Sequence, residues 1–282
     1  MKKFGHIQCH EHIYLRKGAS YDVNPALCMD DYEKSLNELK EYKEAGGDAI
    51  IDSQPEAFGG DREILRKLSE ESGVEILTVT GFHKLGFLEE GHTPEELTKE
   101  LFVRELGQGA DLIKIAYTKP DDPTYRRLTE EALAASAGTG APITVHTEKD
   151  ADPNRLIDDA ESMGAGKMML CHLDRTFYNL DFHKKIASRG VLLCYDSVHR
   201  YKYVSEEQEI ALIKGMLDAG FEDSIVLSLD TTNQRLRSYN SPDMGLDYIL
   251  REFIPALRKA GVTKKQIDKM CKTNAARFLE RK

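Results

Sequence analysis

The chain has 282 residues, 40% of them hydrophobic and 31% charged, with a formal net charge of −9. That length accommodates two ordinary domains or one large α/β barrel, and the apolar share is enough for a soluble protein with a real core. The acidic balance excludes a broad nucleic-acid-binding surface, which needs a concentrated basic footprint, but leaves room for a local basic pocket.

The first predicted element is a strand over residues 4–12, ending in His10-Glu11-His12. Alternate residues of a strand share a face, so His10 and His12 project together, as two imidazoles gripping one divalent ion would. A polar, irregular loop is expected over 14–29. Helical spacing of Tyr32, Leu36, Leu39 and Tyr42 predicts a helix over 30–45, stopped by Gly46-Gly47. A buried strand follows at 49–54, a helix at 61–72, and a third strand at 74–80 that runs into Gly81-Phe82-His83-Lys84.

The alternation continues without a break. Thr93-Pro94-Glu95-Glu96 opens a helix over 93–106. Strands are expected at 110–117, 141–147, 167–174, 191–196 and 224–230, separated by helices at 125–137, 153–163, 181–188 and 206–219, with closing helices at 248–260 and 264–279. Eight strand–helix units without a Pro/Gly/Ser-rich linker predict one domain over 1–282, a (β/α)₈ TIM barrel. A doubly wound open sheet would call for a glycine-rich phosphate turn after an early strand; Gly46-Gly47 and Gly59-Gly60 are turn pairs and carry no such fingerprint.

No apolar run approaches the ~18 residues of a membrane span. The basic Met1-Lys2-Lys3 start is followed by His, Gln, Cys and Glu rather than by the apolar stretch of a secretory signal. Cys9, Cys28, Cys171, Cys194 and Cys271 are odd in number and form no CxxC pair, which predicts reduced thiols in a cytoplasmic protein.

In a closed barrel the carboxyl ends of the strands share one rim, where active sites lie. Those ends carry His10, His12, Gln54, His83, Lys114, His146, His172, Asp196 and Asp230. A lone strand-end histidine is usually a satisfied polar group, and a terminal aspartate often caps the next helix. Their coincidence on one rim points instead to a binuclear metal site. The His-Glu-His of the first strand, the apolar-flanked Ile113-Lys114-Ile115, Val145-His146-Thr147, His172 and Leu227-Ser228-Leu229-Asp230 resemble the amidohydrolase superfamily. Within it the chain is similar, over nearly its whole length, to the phosphotriesterase-like group, including Thr273-Asn274-Ala275-Ala276-Arg277-Phe278-Leu279.

The resemblance implies two divalent metal ions. His10, His12 and Asp230 would bind one and His146 and His172 the other, with Lys114 bridging them as a carbamate formed with CO₂. It implies hydrolysis by a hydroxide held between the ions, with Asp230 as the catalytic proton carrier. Zinc suits the histidine-rich set; manganese and cobalt are compatible. Cys171-His172-Leu173-Asp174-Arg175, Gly81-Phe82-His83-Lys84 and the segment 196–203 look like the branch that opens phosphorylated sugar lactones. On that reading His83, Arg175, Arg200, Lys202, Arg235, Arg237 and Tyr239 contact an anionic lactone in a cytoplasmic homodimer that binds neither nucleic acid nor membrane. A phosphotriesterase is one alternative. An acyl-homoserine or other lactonase is another, against which the polar segment 231–243 counts. A barrel that binds metal and recognises a ligand without turnover is the alternative from a different class.

Overall fold

The computed structural model describes residues 4–176, 179–240 and 243–281. Met1-Lys2-Lys3 lies outside the described residues, as do Ser241 and Pro242 of the polar segment 231–243. The chain folds as a (β/α)₈ barrel. Its staves are His6–Glu11 (β1), Gly47–Asp52 (β2), Glu75–Leu77 (β3), Val79–Gly81 (β4), Leu112–Tyr117 (β5), Ile143–Thr147 (β6), Met168–Cys171 (β7), Leu192–Tyr195 (β8) and Ile225–Leu227 (β9). Every pairing is parallel, in the orders β1-β2-β3 and β4-β5-β6-β7-β8-β9.

Nine segments make eight staves because the third expected strand is interrupted at Thr78. Its first half, β3, pairs with β2 and its second half, β4, with β5. Thr78 is held to the neighbouring chain instead, donating its N–H to Asp111 Oδ2 at 2.9 Å and accepting from the Asp111 N–H at 2.9 Å.

The other interruption is the seam between β9 and β1, where side chains replace ladder bonds. The buried carboxylate of Glu11 accepts from Ser228 Oγ at 2.7 Å, Leu229 N at 2.7 Å and Thr231 N at 3.1 Å. Asp230 N reaches His10 O at 3.1 Å, and Thr231 Oγ1 accepts from His12 N and donates to His12 O. Glu11 is therefore the residue that stitches the barrel shut, while the two histidines flanking it are free to face the interior.

Ile7, Cys9, Ile51, Leu112, Met169, Cys171, Cys194 and Val226 fill one apolar cluster, and a larger cluster joins the other strand faces to the helices. That two-sided burial is why the strands read as nearly continuous apolar runs. Aspartates set several helix starts: Asp31, Asp61, Asp122 and Asp152 each accept from a backbone N–H in the first turn. The expected helix over 93–106 splits into a 3₁₀ turn, Pro94–Glu96, and an α-helix, Lys99–Gly107, because Thr98 supplies a second cap. The expected irregular loop over 14–29 contains a short helix, Ala19–Val23, a 3₁₀ turn, Pro25–Leu27, and a Leu15–Met29 bridge. At the far end of the barrel Asn274 donates to Glu222 O at 2.9 Å and Ile225 O at 2.8 Å, tying the last helix beneath β9.

Candidate metal centre

The rim gathers its ligand-type residues by two departures from plain strand alternation. In β1 a bulge sets two residues, Cys9 and His10, against one, Ile51, between the Gln8–Ile50 and Glu11–Asp52 partners. The second departure lies just past β7 and β9. There His172 (φ 69°) and Asp230 (φ 52°) adopt the left-handed conformation that residues other than glycine seldom take, and both side chains enter the site. One glycine is required as well. Gly81 (φ +109°) sits beside Lys114 in the β4–β5 register, and a Cβ there would lie 2.1 Å from Lys114 O.

Asp196, buried just past β8, orients two imidazoles at once. Its Oδ2 lies 2.8 Å from His10 Nδ1 and its Oδ1 2.7 Å from His172 Nδ1. A carboxylate only accepts, so each ring donates from Nδ1 and turns Nε2 inward. Burial opposes its charge, but His172 and His10 together hold the Asp196 carboxyl well below the usual carboxylate range. His10 Nε2 is 3.3 Å from Lys114 Nζ, and His172 Nε2 is 2.8 Å from His146 Nδ1. Asp230 Oδ1 lies 3.5 Å from His12 Nε2 and 3.9 Å from His10 Nε2. Its Oδ2 is gripped from the other side by Arg175 Nη1 at 2.9 Å and Arg200 Nη2 at 3.1 Å. Burial again works the other way, but Arg200 and Arg175 hold the Asp230 carboxyl well below its ordinary value.

The donor set fits divalent cations. Ligand atoms of His10, His172 and Asp230 lie within 4.8 Å of one another, and all three residues are buried. Burial, with Arg175 beside it, pushes His172 down to about 4, and burial with His172 alongside holds His146 well below its ordinary value. Both rings are therefore neutral, the form that ligates. Burial also lowers Lys114, which is fully enclosed, toward a neutral amine. His10 differs: against the cost of burial, Cys171 and Asp196 push it up to about 10, so an arriving cation must displace its proton.

Above this floor opens a cavity of about 510 Å³. Of the residues expected to contact substrate, His83, Arg175, Arg200, Lys202 and Arg235 line it. Arg235 is largely committed to the protein, donating to His199 O at 2.8 Å, Val198 O at 2.7 Å and Leu229 O at 3.0 Å. Arg237 and Tyr239 are not brought to the cavity. Arg237 pairs with Glu41 and Asp247, and the Tyr239 hydroxyl bonds Ser35 and the Asp31 carbonyl, because the chain past Arg235 turns outward against the helix Tyr32–Glu44. The apolar wall, Leu15, Val23, Ala26 and Leu27, comes from the first loop, with Phe87 added from the third.

Sequence reasoning placed Asp196 on the rim without its double orienting role, noted Lys84 only within the segment 81–84, and passed over Glu148. Glu148 Oε1 is 3.0 Å from His146 Nε2 and also takes the Lys84 ammonium. The available signal was position: Glu148 lies two residues past His146, and Lys84 directly follows His83.

A parallel barrel with a buried His/Asp/Lys cluster able to hold metal at the carboxyl end of its strands points to a metal-dependent hydrolase. The chain belongs to the phosphotriesterase family, whose model matches residues 1–279. It is 27% identical over 314 residues to a phospho-furanose lactonase of Mycoplasmopsis synoviae, an alignment covering 99% of this chain and 88% of that one. It is 27% identical over 282 residues to an N-acetyltaurine hydrolase of Xenopus tropicalis, covering 90% and 79%. The crystal structure of a lactonase from Listeria monocytogenes superposes with a TM-score of 0.89 at 24% identity, covering 99% of this chain and 96% of that one, a likeness of fold.

Proposed function

We propose that the protein is a binuclear metal-dependent lactonase that opens phosphorylated sugar lactones. His10, His12 and Asp230 would hold one ion and His146 and His172 the other, with Lys114 between them as a carbamate. Two divalent ions in that donor set, zinc first and manganese or cobalt as compatible substitutes, would supply Lewis acidity toward a carbonyl oxygen and a water acidic enough to react near neutral pH. Asp230 divides its labour between its two oxygens, Oδ1 toward the histidines and Oδ2 toward Arg175 and Arg200. Asp230 would take up the proton given off by the attacking water and, its acid form being disfavoured by two guanidiniums, pass it to the alkoxide released as the ring opens.

The observation that carries the substrate reading is the cationic wall. In a chain of net charge −9, Lys84, Arg175, Arg200 and Lys202 all line the one cavity that holds the ligand set. Arg175 and Arg200 already meet Asp230 and Lys84 meets Glu148, so Lys202 at the exposed wall is the cation best placed to meet a substrate anion. Such a wall suits an anionic group remote from the reacting carbonyl, held by charge-assisted bonds. The similarity to a phospho-furanose lactonase supports phosphate as that group. A sulfonate-bearing amide is the second reading, favoured by the likeness to an N-acetyltaurine hydrolase. All five cysteines are free, in keeping with a reducing, cytoplasmic location.

The test is kcat/KM for one sugar lactone with and without its phosphate, beside N-acetyltaurine, a long-chain acyl-homoserine lactone and a phosphotriester. The phosphorylated lactone is expected to lead. Lys202 is exposed at the cavity wall with its ammonium 4.8 Å from the Tyr203 ring centroid, so Lys202→Ala removes a cation without opening the floor. It should lower kcat/KM for the phosphorylated lactone by roughly one to two decades, the worth of a charge-assisted contact, and leave the plain lactone nearly unchanged. Asp230→Asn should impair both. Equal values for the two lactones, or a clear preference for another member of the panel, would overturn the substrate assignment.

A further inference from the structure

His146 stands between two acceptors that compete for its single ring proton. Its Nδ1 is 2.8 Å from His172 Nε2 and its Nε2 is 3.0 Å from Glu148 Oε1. His172 already donates from Nδ1 to Asp196, so its Nε2 carries only a lone pair. If the His146 proton sat on Nδ1, it would bond to that lone pair, and the two rings would close on each other. If it sits on Nε2 it bonds to Glu148, and two bare lone pairs face each other 2.8 Å apart. The second arrangement is costly by itself and is relieved by a cation drawn between the rings.

We propose that Glu148 is a positioning residue for the metal centre: its carboxylate holds the His146 proton on Nε2 and so keeps Nδ1 open toward the ion shared with His172. A hydrogen bond to a charged acceptor is roughly twice as strong as one between neutral rings, which settles the competition in favour of Glu148. Lys84 fixes the carboxylate in place. Its ammonium binds the same Oε1 from the loop that follows β4, and its backbone N–H donates to His83 Nδ1 at 2.8 Å. Without Glu148 the His146–His172 hydrogen bond forms in the metal-free protein and must break before an ion enters. The inference rests on reading His146 as a metal ligand, and it adds a residue that never touches the ion.

The experiment follows loss of each ion from the metal-loaded full-length protein against a graded chelator, for wild type, Glu148→Ala, Glu148→Gln and His146→Ala. Glu148→Ala should release one of its two ions 10–100-fold more readily, the usual cost of removing an outer partner of a ligating histidine, and leave the other near wild type. Glu148→Gln keeps an oxygen that accepts from Nε2 but not the charge that settles the competition, and should release the affected ion more readily than wild type and less readily than Glu148→Ala. A second readout is independent of metal and of turnover. Nitrogen-15 imidazole correlations of the stripped, still folded chain should place the His146 proton on Nε2 in wild type and on Nδ1 in Glu148→Ala, with both tautomers populated in Glu148→Gln. Wild-type ion retention in Glu148→Ala, or an unchanged tautomer, overturns the proposal. So does a Glu148→Gln variant with wild-type tautomer and wild-type ion retention, which decides the matter alone if Glu148→Ala does not fold. His146→Ala separates the two layers: if it keeps both ions the metal reading itself fails, whereas if it loses one and Glu148→Ala loses none, only the role of Glu148 falls.

Discussion

Lys114 is fully buried between Ile113 and Ile115 on β5, with its Nζ 3.3 Å from His10 Nε2. An ammonium would be costly there, and burial lowers the amine toward its neutral form, which is the form that adds to CO₂. Lys114→Ala should therefore weaken binding of the metal pair by more than the 10–100-fold typical of an outer partner, since it removes a ligand outright. Elemental analysis checks the metal loss, and short carboxylic acids should restore part of the activity by supplying two oxygens. Wild-type metal content and turnover in this variant would reject the carbamate. Lys114 was legible from sequence because a lone cation inside an apolar strand has few ordinary places to go. The pairing of Arg175 and Arg200 on Asp230 was not, since it joins three residues from three different loops.

At the scale of elements, the seam between β1 and β9 depends on one side chain. Glu11 has three donors aimed at its two oxygens and a fully buried carboxyl, which burial raises to about 7 despite those bonds. Glu11→Gln would set an amide group against the N–H of Leu229 or Thr231, leaving a buried donor unpaired at a cost of about 1–3 kcal/mol. In a chain of this size Tm should fall by several degrees, as scanning calorimetry would measure. An unchanged Tm would mean that the seam is held by its backbone contacts alone. The sequence reading treated His-Glu-His as two ligands around a spacer, because the partner strand lies more than 200 residues away and no local signal announces the seam. It also took the segment after the eighth strand as a row of substrate contacts. Arg235 lines the cavity while bracing the 198–199 loop, whereas Arg237 and Tyr239 fasten the outgoing chain to the helix Tyr32–Glu44.

For the whole molecule, binding ions at the centre of a closed barrel stabilises every stave that contributes a ligand. Ligand excess a thousandfold above Kd corresponds to about 4 kcal/mol, so exhaustive chelation should lower Tm by on the order of 10 °C and abolish hydrolysis. Divalent metal with bicarbonate should restore both; full activity in a preparation shown metal-free by elemental analysis would reject the mechanism. The eight-fold alternation, the barrel and the six rim positions proposed as ligands were written in the sequence, because two-sided burial imposes apolar strand runs and ligand types recur at their ends. Those are local patterns, and local patterns survive without coordinates. Which nitrogen each histidine turns inward, how Asp196 and Glu148 fix that choice, and which cations reach the cavity were decided only by tertiary structure. Each depends on a bulge in β1, left-handed backbone at His172 and Asp230, or contacts between distant loops, and none of these leaves a period or a spacing along the chain.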